Sequence, residues 1–244
     1  MKKKKYISLF LLIGATAFSQ QKFEDVNQLW GGYYNSIKLS ERFAINTDIQ
    51  GRTTDWYKQW SQVLWRTGVS FKPNEKITVA GGFADFLFFQ KGNKVSKNEY
   101  RPWVELGIND KCNELKIGHR FRVEDRQFQS VVNDELIGKY SSNYRFRYRI
   151  DFQYPLWKKK DSEQTVSLQI GNEVFINAGK SIIYNYFDQN RLFIGVGYQF
   201  TKQLNAQVGY LNVFQQLPQN VTFRHIDALR LFVFHNLDFR NNDN

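Results

Sequence analysis

His225 and Asp227, two residues apart near the C-terminus, have the spacing of a base and the carboxylate that orients it. On an extended strand alternate residues share a face, so the two groups would stand together, as acyl-ester hydrolysis requires. The missing part is a nucleophile. Two places either side of His119, His225 and His235 stand Ile117 and Phe121, Phe223 and Asp227, and Val233 and Leu237. None is a serine or cysteine. The chain also lacks a glycine-rich phosphate loop and a nucleophile elbow. A solvated pair at a strand end is therefore the simpler reading of His225 and Asp227, which remain weak catalytic candidates.

A second constellation is larger. The segment NYRFRYRIDFQYP (143–155) sets Arg145, Arg147 and Arg149 at every second position, between Tyr144, Phe146, Tyr148, Ile150 and Phe152. As a strand it carries guanidinium groups on one face and an aromatic row on the other. An arginine facing lipid near the bilayer midplane costs roughly 2–4 kcal/mol. Three on one strand would cost about 6–12 kcal/mol, comparable to a domain's whole stability. The aromatic row is thus expected to face lipid and the arginines an enclosed lumen.

The same parity assigns Lys116, Arg120, Arg122, Glu124 and Arg126 to the lumen, with Arg101, Glu105, Asp151 and Glu173 from other segments. With the arginine row this cluster holds eight positive and four negative groups. Such an interior favours anions electrostatically. Glu124 is expected opposite Arg147 or Arg149, depending on register. Small barrels fill their interiors with side chains, so the expected lumen is charged and largely filled.

The elements that would position these groups are strands. Alternation of apolar and polar residues recurs along the chain, as in Val104, Leu106 and Ile108 against Glu105 and Asn109. It marks eleven segments, near 26–38, 42–52, 58–72, 76–90, 98–109, 113–127, 142–155, 164–176, 188–200, 204–216 and 224–239. Most exceed the five or six residues typical of soluble sheets and fit tilted membrane strands. Short connections, as at Ser40-Glu41, alternate with longer ones, as at Phe128–Ser141 and Asn177–Phe187. That asymmetry places the short rim in the periplasm. The fold class predicted is all-β, a transmembrane antiparallel up-and-down barrel. Bacterial single-chain barrels have even strand numbers, so about twelve strands are expected, with ten as the alternative. Trp30, Trp56, Tyr57, Trp60, Tyr154, Trp157, Tyr184 and Tyr186 are assigned to interfacial girdles. Gly81-Gly82 and Gly195/Gly197 are assigned to curvature or close packing.

The N-terminus supplies the compartment. Lys2–Lys5 form a positive region, residues 6–14 (YISLFLLIG) a short apolar one, and Ala17-Phe18-Ser19 a cleavage site. Residues 1–19 are expected to be a cleaved signal peptide and 20–244 one outer-membrane barrel domain. Losing the four lysines takes the formal charge from +11 to +7. Cys112 is the only cysteine, so no intramolecular disulfide forms, and no Cys/His spacing suggests a metal or other cofactor. No mature stretch approaches the ~18 apolar residues of a helical span. Export argues against nucleic acid as a partner. The expected partners are outer-membrane lipid, the barrel-assembly machinery and small anionic solutes, with the chain a monomer.

Five stretches, in their order, carry a family resemblance: LWGGYYNSIKLSERFAINTDIQGR, VLWRTGVSFKPNEKITVAGGFA, IGHRFRVEDRQF, YRFRYRIDFQYPL and IGNEVFIN. The sequence resembles the uncharacterised outer-membrane barrels of Bacteroidota grouped as domain of unknown function 2490. The resemblance implies an outer-membrane barrel and brings no activity or catalytic residues with it. The expected function is non-enzymatic: binding or passing small anions, or a structural role in the envelope. The alternative is a hydrolase acting on phospholipid or lipid A.

Overall fold

The computed structural model describes residues 22–90, 94–132, 135–219 and 222–240, so the expected signal segment lies outside the described residues. The strands are β1 (Lys22–Lys38), β2 (Phe43–Thr54), β3 (Gln59–Phe71), β4 (Ile77–Gln90), β5 (Lys94–Cys112), β6 (Leu115–Val132), β7 (Glu135–Lys158), β8 (Thr165–Ala178), β9 (Phe187–Gln199), β10 (Leu204–Gln216) and β11 (Thr222–Asp238). Each pairs with the next, and β1 pairs with β11, closing a barrel.

The closure explains the strand count. Among the described residues there are eleven strands, rather than twelve or ten. In an up-and-down barrel an odd number leaves the first and last strands running the same way. Here β1 and β11 pair in parallel, from Lys22 opposite Thr222 to Lys38 opposite Asp238. A parallel ladder satisfies backbone groups as an antiparallel one does, so no open edge remains. The described residues before Trp30, 22–29, are the first part of β1 and not a separate strand.

The two rims differ less in their connections than the sequence suggests. The C-terminal rim, where β11 ends, carries the turns at 39–42, 72–76, 113–114, 159–164 and 200–203. The N-terminal rim, where β1 begins, carries 55–58 and 179–186 and the ends of the remaining hairpins. The expected loop Phe128–Ser141 is mostly strand, with Phe128 opposite Ser141 and Val132 opposite Glu135. A ribbon projecting beyond the barrel has no buried face, so its sequence need not alternate.

Alternation sets the two surfaces. Ile49, Trp65, Val69, Val104, Phe146 and Ile194 are exposed on the outside, while Leu64, Phe86, Trp103, Phe175 and Phe193 are buried inside. Trp56, Tyr57, Trp60, Tyr184 and Tyr186 lie exposed toward the N-terminal rim, and Tyr154 and Trp157 toward the other. Trp30 departs from that girdle. It is buried in the interior, because it shares the lumen-facing parity of Gln28 and Tyr34.

Inner aromatics require inner glycines. A Cβ on Gly195 would stand 2.6 Å from the Phe193 ring, and one on Gly209 would stand 2.8 Å from it. Gly195 and Gly209 are partners across β9 and β10, so together they make the recess in which that ring lies.

Candidate functional site

Arg145 and Arg147 on β7 are held by carboxylates from three other strands. The register sets Glu124 of β6 opposite Arg145, with Arg122 opposite Arg147 and Arg120 opposite Arg149. Glu124 therefore faces a different arginine from the two expected, although it also reaches Arg147 diagonally. Like charges directly opposite one another are destabilising. Here carboxylates inserted between them compensate.

Glu124 accepts two bonds from Arg145, from Nη2 at 2.5 Å and Nε at 2.9 Å, and a third from Arg147 Nη1. Arg147 turns its Nη2 and Nε to Glu173 Oε1, at 2.7 and 2.8 Å. Glu173 Oε1 also accepts from Arg120 Nη2 at 2.5 Å. Arg120 Nε lies 3.5 Å from Glu105, whose Oε2 accepts from Arg122 Nη2 at 2.5 Å. Arg122 Nη1 returns to within 3.9 Å of Glu124. The result is a closed circuit of three guanidinium groups alternating with three carboxylates.

Two acids that the sequence cluster omits extend the circuit. Glu99, fully buried, accepts from Arg101 Nε at 2.5 Å and from Arg126 Nε at 2.6 Å. Asp188, also buried, accepts from Arg145 Nη1 at 3.0 Å. Glu99 shares strand parity with Arg101 and Glu105, which was the available signal. Asp188 gave none, because a bulge between Phe175 and Ile176 breaks the alternation beside it. Arg149 pairs with Asp151 at 2.6 Å in a more open part of the lumen. Lys116 stays apart from the network: it is exposed beside the 113–114 turn, where water solvates its ammonium.

The opposite wall is built differently. Asp48 and Arg66 pair there at 2.7 Å. Arg52 of β2, Arg191 of β9 and Arg230 of β11 make no ion pair among the described residues. They lie on aromatic rings, as Arg101, Arg122 and Arg147 of the paired wall also do, but with no carboxylate partner among the described residues. Arg52 stands 3.8 Å over Trp30, Arg191 4.5 Å over Phe175, and Arg230 3.5 Å over Phe193. A cation over a ring face gains from the ring quadrupole. A cavity of about 1170 Å³ separates the walls, reaching Ser40, Arg42 and Lys202 at the C-terminal rim and Phe89 and Arg224 toward the other. Both walls line the cavity: the β5–β8 side presents the ion-pair circuit to it, and the side of β1, β2 and β11 presents arginines without carboxylate partners.

His225 and Asp227 lie on the other surface of the barrel, near the N-terminal rim. His225 Nδ1 is 3.7 Å from Asp25, and its ring packs by Phe23 and Phe214. Asp227 accepts from the Tyr210 hydroxyl and, at 3.0 Å, from Asn212. His119 and His235 meet the hydroxyls of Tyr148 and Tyr33 at 2.9 and 2.8 Å. No histidine has a serine or threonine hydroxyl partner among the described residues. Nor do the described residues hold three or more His, Cys, Asp or Glu side chains placed for a metal ion.

The family model described as a protein of unknown function, DUF2490, matches residues 27–224. The chain belongs to this family. The matched span runs from the first part of β1 into β11, so DUF2490 takes in both walls of the lumen. An uncharacterized protein of Methylorubrum extorquens is 27% identical over 234 residues, covering 93% of this chain and 95% of its own. Among solved structures, the NanC porin aligns with 86% of this chain and 99% of its own, at 15% identity and a TM-score of 0.45.

Proposed function

We propose that the protein is an outer-membrane β-barrel that binds or passes small anions through its lumen and catalyses no reaction. The observation that carries this reading is an arginine surplus around an open interior. The inward arginines named above outnumber the inward carboxylates eleven to seven, and the cavity of about 1170 Å³ lies between them. Arg224 and Glu24 near the rim add a neutral pair at 2.7 Å. A low-dielectric wall concentrates the field of such charges along the opening.

Location is supported by the apolar outer belt, its two aromatic girdles and the N-terminal sequence of a secretory signal. The chain would act as a monomer in outer-membrane lipid, inserted by the barrel-assembly machinery. The test is to isolate outer membranes, establish heat-dependent gel mobility, and measure reversal potential in planar bilayers across a KCl gradient. Chloride-favouring selectivity is expected. Cation selectivity would overturn the reading. A folded barrel that passes no current and binds no anion would leave an envelope-structural role, which the ion-pair circuit favours.

A further inference from the structure

We propose that Arg52, Arg191 and Arg230 form a binding site for the carboxylate or phosphate group of a small solute. This rests on the anion-handling reading above and assigns it to one place in the lumen. The site is organised around Trp30. Its indole Nε1 donates to Gln28 Oε1 at 2.6 Å, which fixes the ring. In register, Trp30 lies opposite Arg52 on β2 and opposite Arg230 on β11. Arg191 of β9 reaches the same ring. The guanidinium carbons of Arg52 and Arg191 are 3.8 and 5.1 Å from the Trp30 centroid, so they lie no farther apart than the sum of those distances.

Each of the three guanidinium groups donates to a neutral amide rather than to a carboxylate. Arg52 Nη1 meets Gln62 Oε1 at 2.5 Å, Arg191 Nε meets Gln189 Oε1 at 3.1 Å, and Arg230 Nη2 meets Gln207 Oε1 at 2.9 Å. Arg52 Nε and Arg230 Nε are buried with no hydrogen-bond partner. An amide oxygen leaves the full positive charge uncompensated, and enclosed charge without a counter-charge is unfavourable. Neighbouring acids are already committed. Glu173, opposite Arg191 in register, is held by Arg120 and Arg147, and Asp188 is held by Arg145.

A planar fork of donors matches the two oxygens of a carboxylate or phosphate. All three arginines line the cavity, and so do Arg42 and Lys72 at the C-terminal rim. That rim gives an anion a positively lined approach. Lysine could supply charge there, but the fork geometry is particular to arginine.

The experiment uses the full barrel in detergent, with inorganic phosphate and acetate titrated separately by calorimetry at fixed ionic strength. Wild type should bind at least one of them, and which one distinguishes phosphate from carboxylate chemistry. The R52Q/R230Q variant should lose about tenfold or more in affinity, since bidentate charged donors are removed. K76Q, at the outer end of a turn, should bind as wild type. If R52Q/R230Q does not fold, R52K/R230K keeps the charge without the fork and should still bind measurably more weakly. Phosphate and acetate binding that neither variant changes, in a barrel that favours chloride, would overturn this site alone. A wild type with no anion selectivity and no binding would overturn the wider reading with it.

Discussion

Two walls of one lumen treat the same side chain in opposite ways. Along β5–β8, Arg120, Arg122 and Arg147 alternate with Glu105, Glu124 and Glu173 in a closed circuit, and Arg145 is tied to it through Glu124. Beside β1, Arg52 and Arg230 lie on aromatic rings and donate to glutamines. The contrast separates what holds the barrel from what the barrel leaves available. Desolvated ions contribute stability only through their partners. An arginine without a counter-charge is retained at the expense of stability, a pattern associated with functional sites.

The largest expected effect comes from breaking the paired wall. Glu124→Leu leaves Arg145 and Arg147 without their shared carboxylate, and removing one partner of a buried pair costs about 3–5 kcal/mol. The midpoint of heat-dependent gel mobility should fall sharply. The next effect sharpens the contrast between inside and outside. Ile194, three residues from Arg191, faces outward near the middle of β9. Ile194→Arg should cost roughly 2–4 kcal/mol if that surface meets lipid, read as a lower urea midpoint in lipid vesicles. Gly209→Ala would crowd the Phe193 ring that carries Arg230, with overpacking costing about 1–3 kcal/mol.

The wall of unpaired arginines should respond in the reverse direction. Arg52→Met keeps much of the aliphatic packing on Trp30 and removes an uncompensated charge. Its unfolding midpoint should equal or exceed that of wild type. A large loss of stability would mean that Arg52 is structural after all. Lys116→Gln, at the solvated rim, should stay within about 0.5 kcal/mol of wild type by the same measurement.

Much of the barrel was legible because alternation is a local signal. Arg145, Arg147 and Arg149 declared an inner face without help from distant strands. Parity also puts Arg52 on the face of Asp48 and Gln50, and sets Arg191 and Arg230 against apolar neighbours. Whether an arginine is paired is a different matter, since it depends on register between strands. Glu124 illustrates this: its position opposite Arg145 follows from closure of the whole β6–β7 ladder. Trp30 stands near the start of the alternating stretch, which suggests a girdle, but its parity with Gln28 and Tyr34 turns it toward the lumen. The alternation marks eleven segments, and the even-number rule that raises the expectation to twelve fails at the parallel β1–β11 seam.

The central claim is that the unpaired arginines around Trp30 hold an oxyanion that the paired wall does not. Soaking crystals of the barrel in selenate and recording anomalous diffraction tests it most directly. A selenium peak within hydrogen-bond reach of Arg52 and Arg230, and weakened in R52Q/R230Q crystals, is the predicted result. Selenate found only at the rim beside Arg42 and Lys72, with the Trp30 region empty, would contradict it.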